Sequence, residues 1–357
     1  NMSITNNTAV GSHGGGIWTN NAGGSTNWNT VGWTMTNSII SGNTADYFGG
    51  AMCLAWSHPK LINCTISNNT SGWGAGGIMG LEGGFTLRGS TVSDNVNAGG
   101  MSGGGIFVWG PLYGIEGPVI EYSTISGNTS YGNGAGIALA EVENATLNRV
   151  LVVDNHTDSY IGGIDIDNTS ATLTNCTVSE NTSGGGGGVG ISNGAQAIIT
   201  NSIVWENYGN EVWNIGGSTT ITYSDIQGGA AGQGNINSDP LFMNPENGDY
   251  RLSLLPSWSP CIDAGIILSD IEYVGDAPDM GALEHGGILG CTDPDASNYD
   301  PQANMNDGTC EYSSSGPSNI SVSYNTGWNM VGLPLEVEDS NYQILFPDAV
   351  NNAMYSF

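Results

Sequence analysis

The string NCTISNNTSGWGAGGI at residues 63–78 returns, little changed, as NCTVSENTSGGGGGVGI at residues 175–191. Aligning every copy gives a column of asparagines at Asn7, Asn43, Asn69, Asn95, Asn128, Asn155, Asn181 and Asn207, spaced 36, 26, 26, 33, 27, 26 and 26 residues apart. Three positions before each lies a β-branched residue: Ile4, Ile40, Ile66, Val92, Ile125, Val152, Val178 and Val204. A second apolar column follows the glycines at Ile17, Met52, Ile78, Ile106, Ile137, Ile164 and Ile191, and a third runs through Met35, Leu61, Leu87, Ile120, Leu147, Leu173 and Ile199. Units this small cannot bury their own apolar faces, so each must lie against the next.

Within a unit the pattern alternates, as in ATLTNCTVSEN at residues 171–181, which is the mark of strands with one buried face. Glycine runs and Asn/Asp corners separate the segments and supply positive φ and local side-chain bonds. Three apolar segments per period, stacked about 4.8 Å apart, make a right-handed parallel β-helix with three strands per coil over residues 1–225. The asparagine column is then expected to bond its counterparts in neighbouring coils, and the glycines to make the corners. The Asn-x-Ser/Thr sequons are by-products of this repeat.

Only 4 Lys and Arg stand against 33 Asp and Glu, a formal charge of −29. Such a field repels phosphate backbones and anionic membranes, which excludes nucleic acid as a partner and favours divalent cations or neutral ligands. No apolar run reaches the roughly 18–20 residues of a membrane span. The first residues lack a signal-peptide layout, and the pattern begins in mid-repeat, so the chain reads as a piece of a longer polypeptide.

With GGGI elements at Gly14–Ile17 and Gly103–Ile106, residues 1–225 resemble right-handed β-helix proteins of the pectate-lyase-like fold, in particular bacterial surface proteins. The strings SPCIDAG and DMGALE resemble the last rungs of secreted choice-of-anchor proteins, which implies closing coils and a cap over 226–287. Leu241, Phe242, Tyr250 and Leu252 are expected to form that cap, with Asp263 and Asp279 bonding turn N–H groups. GWNMVGLPL resembles the opening of a β-sandwich, giving a linker and an incomplete domain over 313–357. The resemblance implies a location and not an activity, since adhesins, lyases and hydrolases all use such coils.

Cys291 and Cys310 bracket a loop, within a module at 288–312, that is too short for a core; a disulfide is its natural staple, worth about 3 kcal/mol, and points outside the reducing cytosol. Asp293, Asp295, Asn298, Asp300, Asn304, Asn306 and Asp307 lie between them, hard oxygen donors that suit Ca²⁺. The segment resembles short calcium-linked repeats of secreted bacterial proteins; the alternative is a solvated acidic loop held by the disulfide alone. Cys64 and Cys176 share a column with Ser38, Ser90, Ser123, Val150 and Ser202 but are four coils apart, roughly 19 Å. That exceeds the reach of a disulfide, about 7 Å, so both are expected to be buried thiols, as is Cys53.

On the strand after the glycine corner, the outward row is expected to run Trp18, Cys53, Met79, Phe107, Ala138, Asp165, Ser192, and the next row Ala55, Leu81, Trp109, Ala140, Asp167, Gly194. Asp165 and Asp167 then share a face with Phe107 and Trp109, an arrangement able to grip a sugar ring and within the carboxylate range of glycosidases. The alternative is an acidic face that resists edge association. Arg88 and Arg149 are expected outward and without carboxylate partners, poor tools for a polyuronate lyase. The four histidines lack metal-ligand spacing. Together these readings give an extracellular or cell-surface module, monomeric and non-catalytic, that binds neutral glycans, with Ca²⁺ its candidate cofactor. The alternative is a carbohydrate-active enzyme with Asp165 and Asp167 catalytic.

Overall fold

Short strands separated by tight corners have no partner within their own repeat, so each pairs with its copy one repeat away. The computed structural model describes residues 2–20, 32–110, 117–269 and 271–311; the β-sandwich expected over 313–357 lies outside them. One coil consists of the strands Ile39–Ser41, Thr44–Ala45, Met52–Ala55 and Lys60–Ile62. Repetition builds four parallel sheets of nine, six, eight and eight strands, termed first to fourth in that order. The first, third and fourth carry the three expected apolar columns; the second is an additional two-residue pairing just after the asparagine. Register follows the repeat, with Ile40 opposite Ile66, Ile78 opposite Ile106 and Leu61 opposite Leu87. Those side chains are fully buried and form the main core.

One expected position differs. Val189, not Ile191, lies opposite Ile164, so Asp165 faces Gly190 and Asp167 faces Ser192. Val189 and Ile191 point to the same side of the strand, and the preceding glycine run has no side chains to set the register.

Each asparagine of the column donates its backbone N–H and its Nδ2 to the Oδ1 of the asparagine in the next coil. Asn69 meets Asn95 at 3.0 and 2.9 Å, and Asn155 meets Asn181 at 3.1 and 2.9 Å. The second Nδ2 hydrogen bonds backwards, as from Asn95 to the Ile66 carbonyl at 2.9 Å. From Asn43 to Asn181 these side chains are wholly buried, and every coil repeats the same bonds. The series ends at Glu211, whose carboxylate accepts both donors of Asn207, at 3.1 and 2.6 Å. Burial raises the Glu211 carboxyl to about 7, against the pull of the Asn207 bonds.

The GGGI element follows from this stacking. Gly103 takes φ +78°, and a Cβ on Gly104 would lie 2.6 Å from the Ala135 carbonyl oxygen of the adjoining coil. A smaller ladder uses hydroxyls and thiols. Cys64 N–H donates to Ser90 Oγ at 2.9 Å, and Ser90 Oγ donates to the Arg88 carbonyl. Cys53, Cys64 and Cys176 are buried free thiols, as expected.

The end of the solenoid is closed within the expected span 226–287, but not by Leu241, Phe242, Tyr250 and Leu252. Residues 227–237 fold over the last coil: Asn235 Oδ1 accepts from Ser224 N–H at 3.1 Å, and Ala230 packs on the main core. Phe242, Tyr250 and Leu252 instead lie sideways against the outer face of the first sheet. Leu252 packs with Ile203 and Trp205, and Tyr250 with Leu151 and Val153. The reason is visible in those coils, where Leu151, Val153, Ile203 and Trp205 stand at outward positions that are serine or threonine in most others. Asp263 and Asp279 accept backbone N–H bonds there, Asp279 from Asp263 at 2.8 Å and Asp263 from Asp276 at 2.9 Å.

Asn95→Ala would strand the Asn69 N–H and take the side-chain donor from the Ile66 carbonyl in a dry core, and would leave Asn128 Oδ1 with only the backbone N–H of residue 95. We expect a loss of about 3–5 kcal/mol in urea unfolding, against under about 1 kcal/mol for an exposed asparagine. Glu211 has a folded pKa above its ordinary value, so its contribution to stability is complete below that ordinary value and is lost as pH rises through about 7. Glu211→Gln should therefore flatten the fall in melting temperature between about pH 5 and pH 8; an unchanged profile would refute this.

Candidate ligand-binding site

Strand pairing arranges the outward side chains of the third sheet into two files. The first runs Trp18, Cys53, Met79, Phe107, Ala138, Asp165, Gly190, Trp213; the second runs Asn20, Ala55, Leu81, Trp109, Ala140, Asp167, Ser192, Ile215. Along the middle of the first file the preceding corner folds over the sheet. Cys53, Met79, Phe107 and Ala138 form a second apolar cluster with Ala75, flanked by Phe48 and Met101. Phe107, expected to offer its ring to a ligand, is therefore buried at 4% exposure. Trp109, in the second file, is half-buried and packs against the same cluster.

Towards Asp165 this cover opens into a pocket of about 320 Å³ lined by Asn133, Tyr160, Ile161, Asp165, Gly190, Ser192, Trp213 and Ile215. Gly190, opposite Asp165, makes room for the Ile161 side chain, which packs where a Cβ would stand, 2.5 Å from it. The rings of Tyr160 and Trp213 stand 5.6 Å apart at 47°. Glycine beneath them matters, because a Cβ on Gly185 would come within 2.9 Å of Tyr160 and one on Gly186 within 3.1 Å of Trp213. Asn133 is held by Ser159 Oγ and Tyr160 N–H, which both donate to its Oδ1, at 2.8 and 3.1 Å.

Asp165 is 8% exposed. Burial raises its carboxyl to about 7, neighbouring Asp167 adds to the rise, and the Asn133 side chain opposes it. Near neutral pH it can therefore donate or accept a hydrogen bond. Asp167 is more open and accepts from Asn193 Nδ2 at 2.6 Å. The expected acidic pair thus has two unlike members, one buried in the wall of the aromatic-lined pocket and one partly exposed beside it. Tyr160, Trp213 and Asn133 escaped the sequence reading, since they occupy corners of irregular length or a coil beyond the last aligned glycine. The usable signal was VWNI at 212–215, whose alternation continues the file. The string Gly190-Ile191-Ser192-Asn193-Gly194 has the spacing of a serine-nucleophile elbow, but Ser192 ends a strand and another strand follows in place of a helix.

Arg88 and Arg149 have carboxylate partners, contrary to expectation. Arg88 pairs with Glu121 at 2.6 Å and donates to the Asp307 carbonyl; it also lies over the Tyr122 ring. Arg149, fully buried, pairs with Glu284 at 3.0 Å. Glu284 lies 135 residues downstream, beyond any repeat-based forecast.

Cys291 and Cys310 are joined, with Cα atoms 4.8 Å apart. In the loop between them the Asn and Asp side chains serve mainly as turn acceptors. Asp293 accepts from Asp295 N–H, Asp300 from Gln302 N–H, Asn306 from Gly308 N–H and Asp307 from Thr309 N–H. Asn298 and Asn304 accept from Glu311 and Ile288 N–H. Among the described residues no three His, Cys, Asp or Glu side chains gather at metal-binding distance. No helix among them is long and apolar enough to cross a membrane.

No curated protein and no solved structure matches the chain. Residues 100–226, which carry the pocket and most of its file, match the family model of the right handed beta helix region.

Proposed function

We propose that the chain is a secreted or cell-surface binding module, of bacterial type and monomeric, that holds neutral glycans in the Asp165 pocket. The β-helix fold is one that surface and carbohydrate-related proteins share. The observation that carries the reading is one pocket lined both by the Tyr160–Trp213 ring pair and by a buried carboxyl able to donate and to accept. Rings supply flat apolar faces for the C–H side of a sugar, and Asp165 and Asn133 supply polar contacts for its hydroxyls. A field of −29 disfavours anionic ligands. The Cys291–Cys310 bond supports a location outside the reducing cytosol.

The raised Asp165 carboxyl also favours a second reading, glycoside hydrolysis with Asp165 as general acid and Asp167 as its partner. For the Cys-bracketed loop we propose weak Ca²⁺ binding by Asp295, Asp300 and Asp307, each carrying a carboxylate on a polar turn, after some rearrangement.

Trp213→Ala should weaken binding on an array of neutral glycans by about 2 kcal/mol, roughly 30-fold; equal signals from variant and parent would sink the pocket reading. Release of reducing ends that disappears in Asp165→Asn would replace the binding reading with the hydrolytic one. For the loop, excess Ca²⁺ should raise the melting temperature relative to chelator, and coincident curves would remove the ion from the account.

A further inference from the structure

The file that ends at Trp213 begins with another aromatic group. Trp18 occupies the same outward position seven pairings earlier, so at roughly 4.8 Å per coil the two tryptophans lie about 34 Å apart along the solenoid. Around Trp18 the rings form a cluster. His13 lies 5.7 Å from Trp18, 5.4 Å from Tyr47 and 5.2 Å, stacked, from Phe48; Tyr47 meets Trp73 edge-on at 6.0 Å. Trp18, Tyr47 and Trp73 are 50, 39 and 55% exposed. Three large rings left open on consecutive coils form a local apolar patch at this end of the face, as Tyr160 and Ile215 do at the other.

Two further observations indicate what would lie there. His13 Nδ1 is shielded from water among the rings and has no hydrogen-bond partner, while burial holds the imidazole below its ordinary pKa and therefore neutral. A neutral imidazole stacked on Phe48 adds ring surface and no charge to the cluster, as an uncharged ligand would need. Between the two ring groups, Leu81, Trp109, Ala140, Asp167 and Ser192 of the second file are only partly covered, and neither file contains a lysine or arginine. A polyanion would find no counter-charge along this lane.

We propose that the His13, Trp18, Tyr47 and Trp73 cluster is a second glycan subsite, and that one linear, uncharged polysaccharide lies along the third sheet, parallel to the solenoid axis, and stacks on both ring groups. This rests on the glycan reading of the Asp165 pocket and adds the class of ligand: a polymer long enough to span about 34 Å, held at two points.

The test is affinity electrophoresis of the whole chain through galactomannan, xyloglucan, hydroxyethyl cellulose and laminarin, then calorimetric titration with short oligosaccharides of whichever polymer retards it. Joining two subsites through one polymer should strengthen binding by on the order of 100-fold over either alone. The Tyr47→Ala/Trp73→Ala variant should lose about that factor for the polymer, and its stoichiometry for short oligosaccharides should fall from two to one. A variant retarded like the parent, with one site in both, overturns the second subsite and leaves the Asp165 pocket standing. A parent that none of the polymers retards overturns both readings. A parent that sediments as a dimer, with a monomeric variant, makes the cluster a self-contact and overturns the proposal. Should the double variant lack the parental circular dichroism, Trp73→Ala alone serves the same comparisons.

Discussion

A buried amide donating twice to the amide below it is the interaction that everything else in this molecule presupposes. Parallel strands of two to five residues offer few backbone bonds each, and a coil on its own has almost no interior. The asparagine series compensates by tying the tightest corner of every coil to its neighbour through bonds shielded from water, where a broken one is costly. Because the bond is made only when like residues lie vertically above one another, it also sets register. The apolar columns then fall into line, and the glycines become necessary wherever the stacked corners leave no room for a Cβ.

That same strictness explains how a site can arise on so regular an object. Inward positions are fixed by the core, but the outward files of the third sheet are free to vary, and the corner leading into it varies in length and composition. Where the corner brings Phe48, Ala75 and Met101 over the sheet, the file is apolar and sealed. Where it brings Tyr160 with glycines beside it, and the file changes to Asp165 and Gly190, the cover becomes a rim and the file a floor. The pocket is thus a local exception in a covering layer, positioned to within a residue by the regular strands beneath it.

This division sets what could be read from the residues alone. Every column that repeats was legible: Asn7 to Asn207, the three apolar files, the buried thiols of Cys64 and Cys176 and the Cys291–Cys310 staple. So were Asp165 and Asp167 as neighbours on one face. Contacts made once, between segments far apart in the chain, were not. The partner of Arg149 is Glu284, and the buttress of Tyr250 and Leu252 rests on Leu151, Val153 and Ile203, none of which a periodic pattern connects. The burial of Phe107 depends on corner residues whose course no periodicity dictates, and the two-residue shift at Val189 was hidden by a glycine run with no side chains to align.

The direction of the amide series has an electrical result. From Asn7 onwards every Nδ2 points towards the next coil and every Oδ1 towards the previous one, so the side-chain dipoles add head to tail along the axis. The positive pole of that stack emerges beyond Asn207, where a further asparagine would merely extend it. Glu211 is found there instead, and its anion, costly to bury on its own, is the one group in the column whose charge opposes the accumulated field.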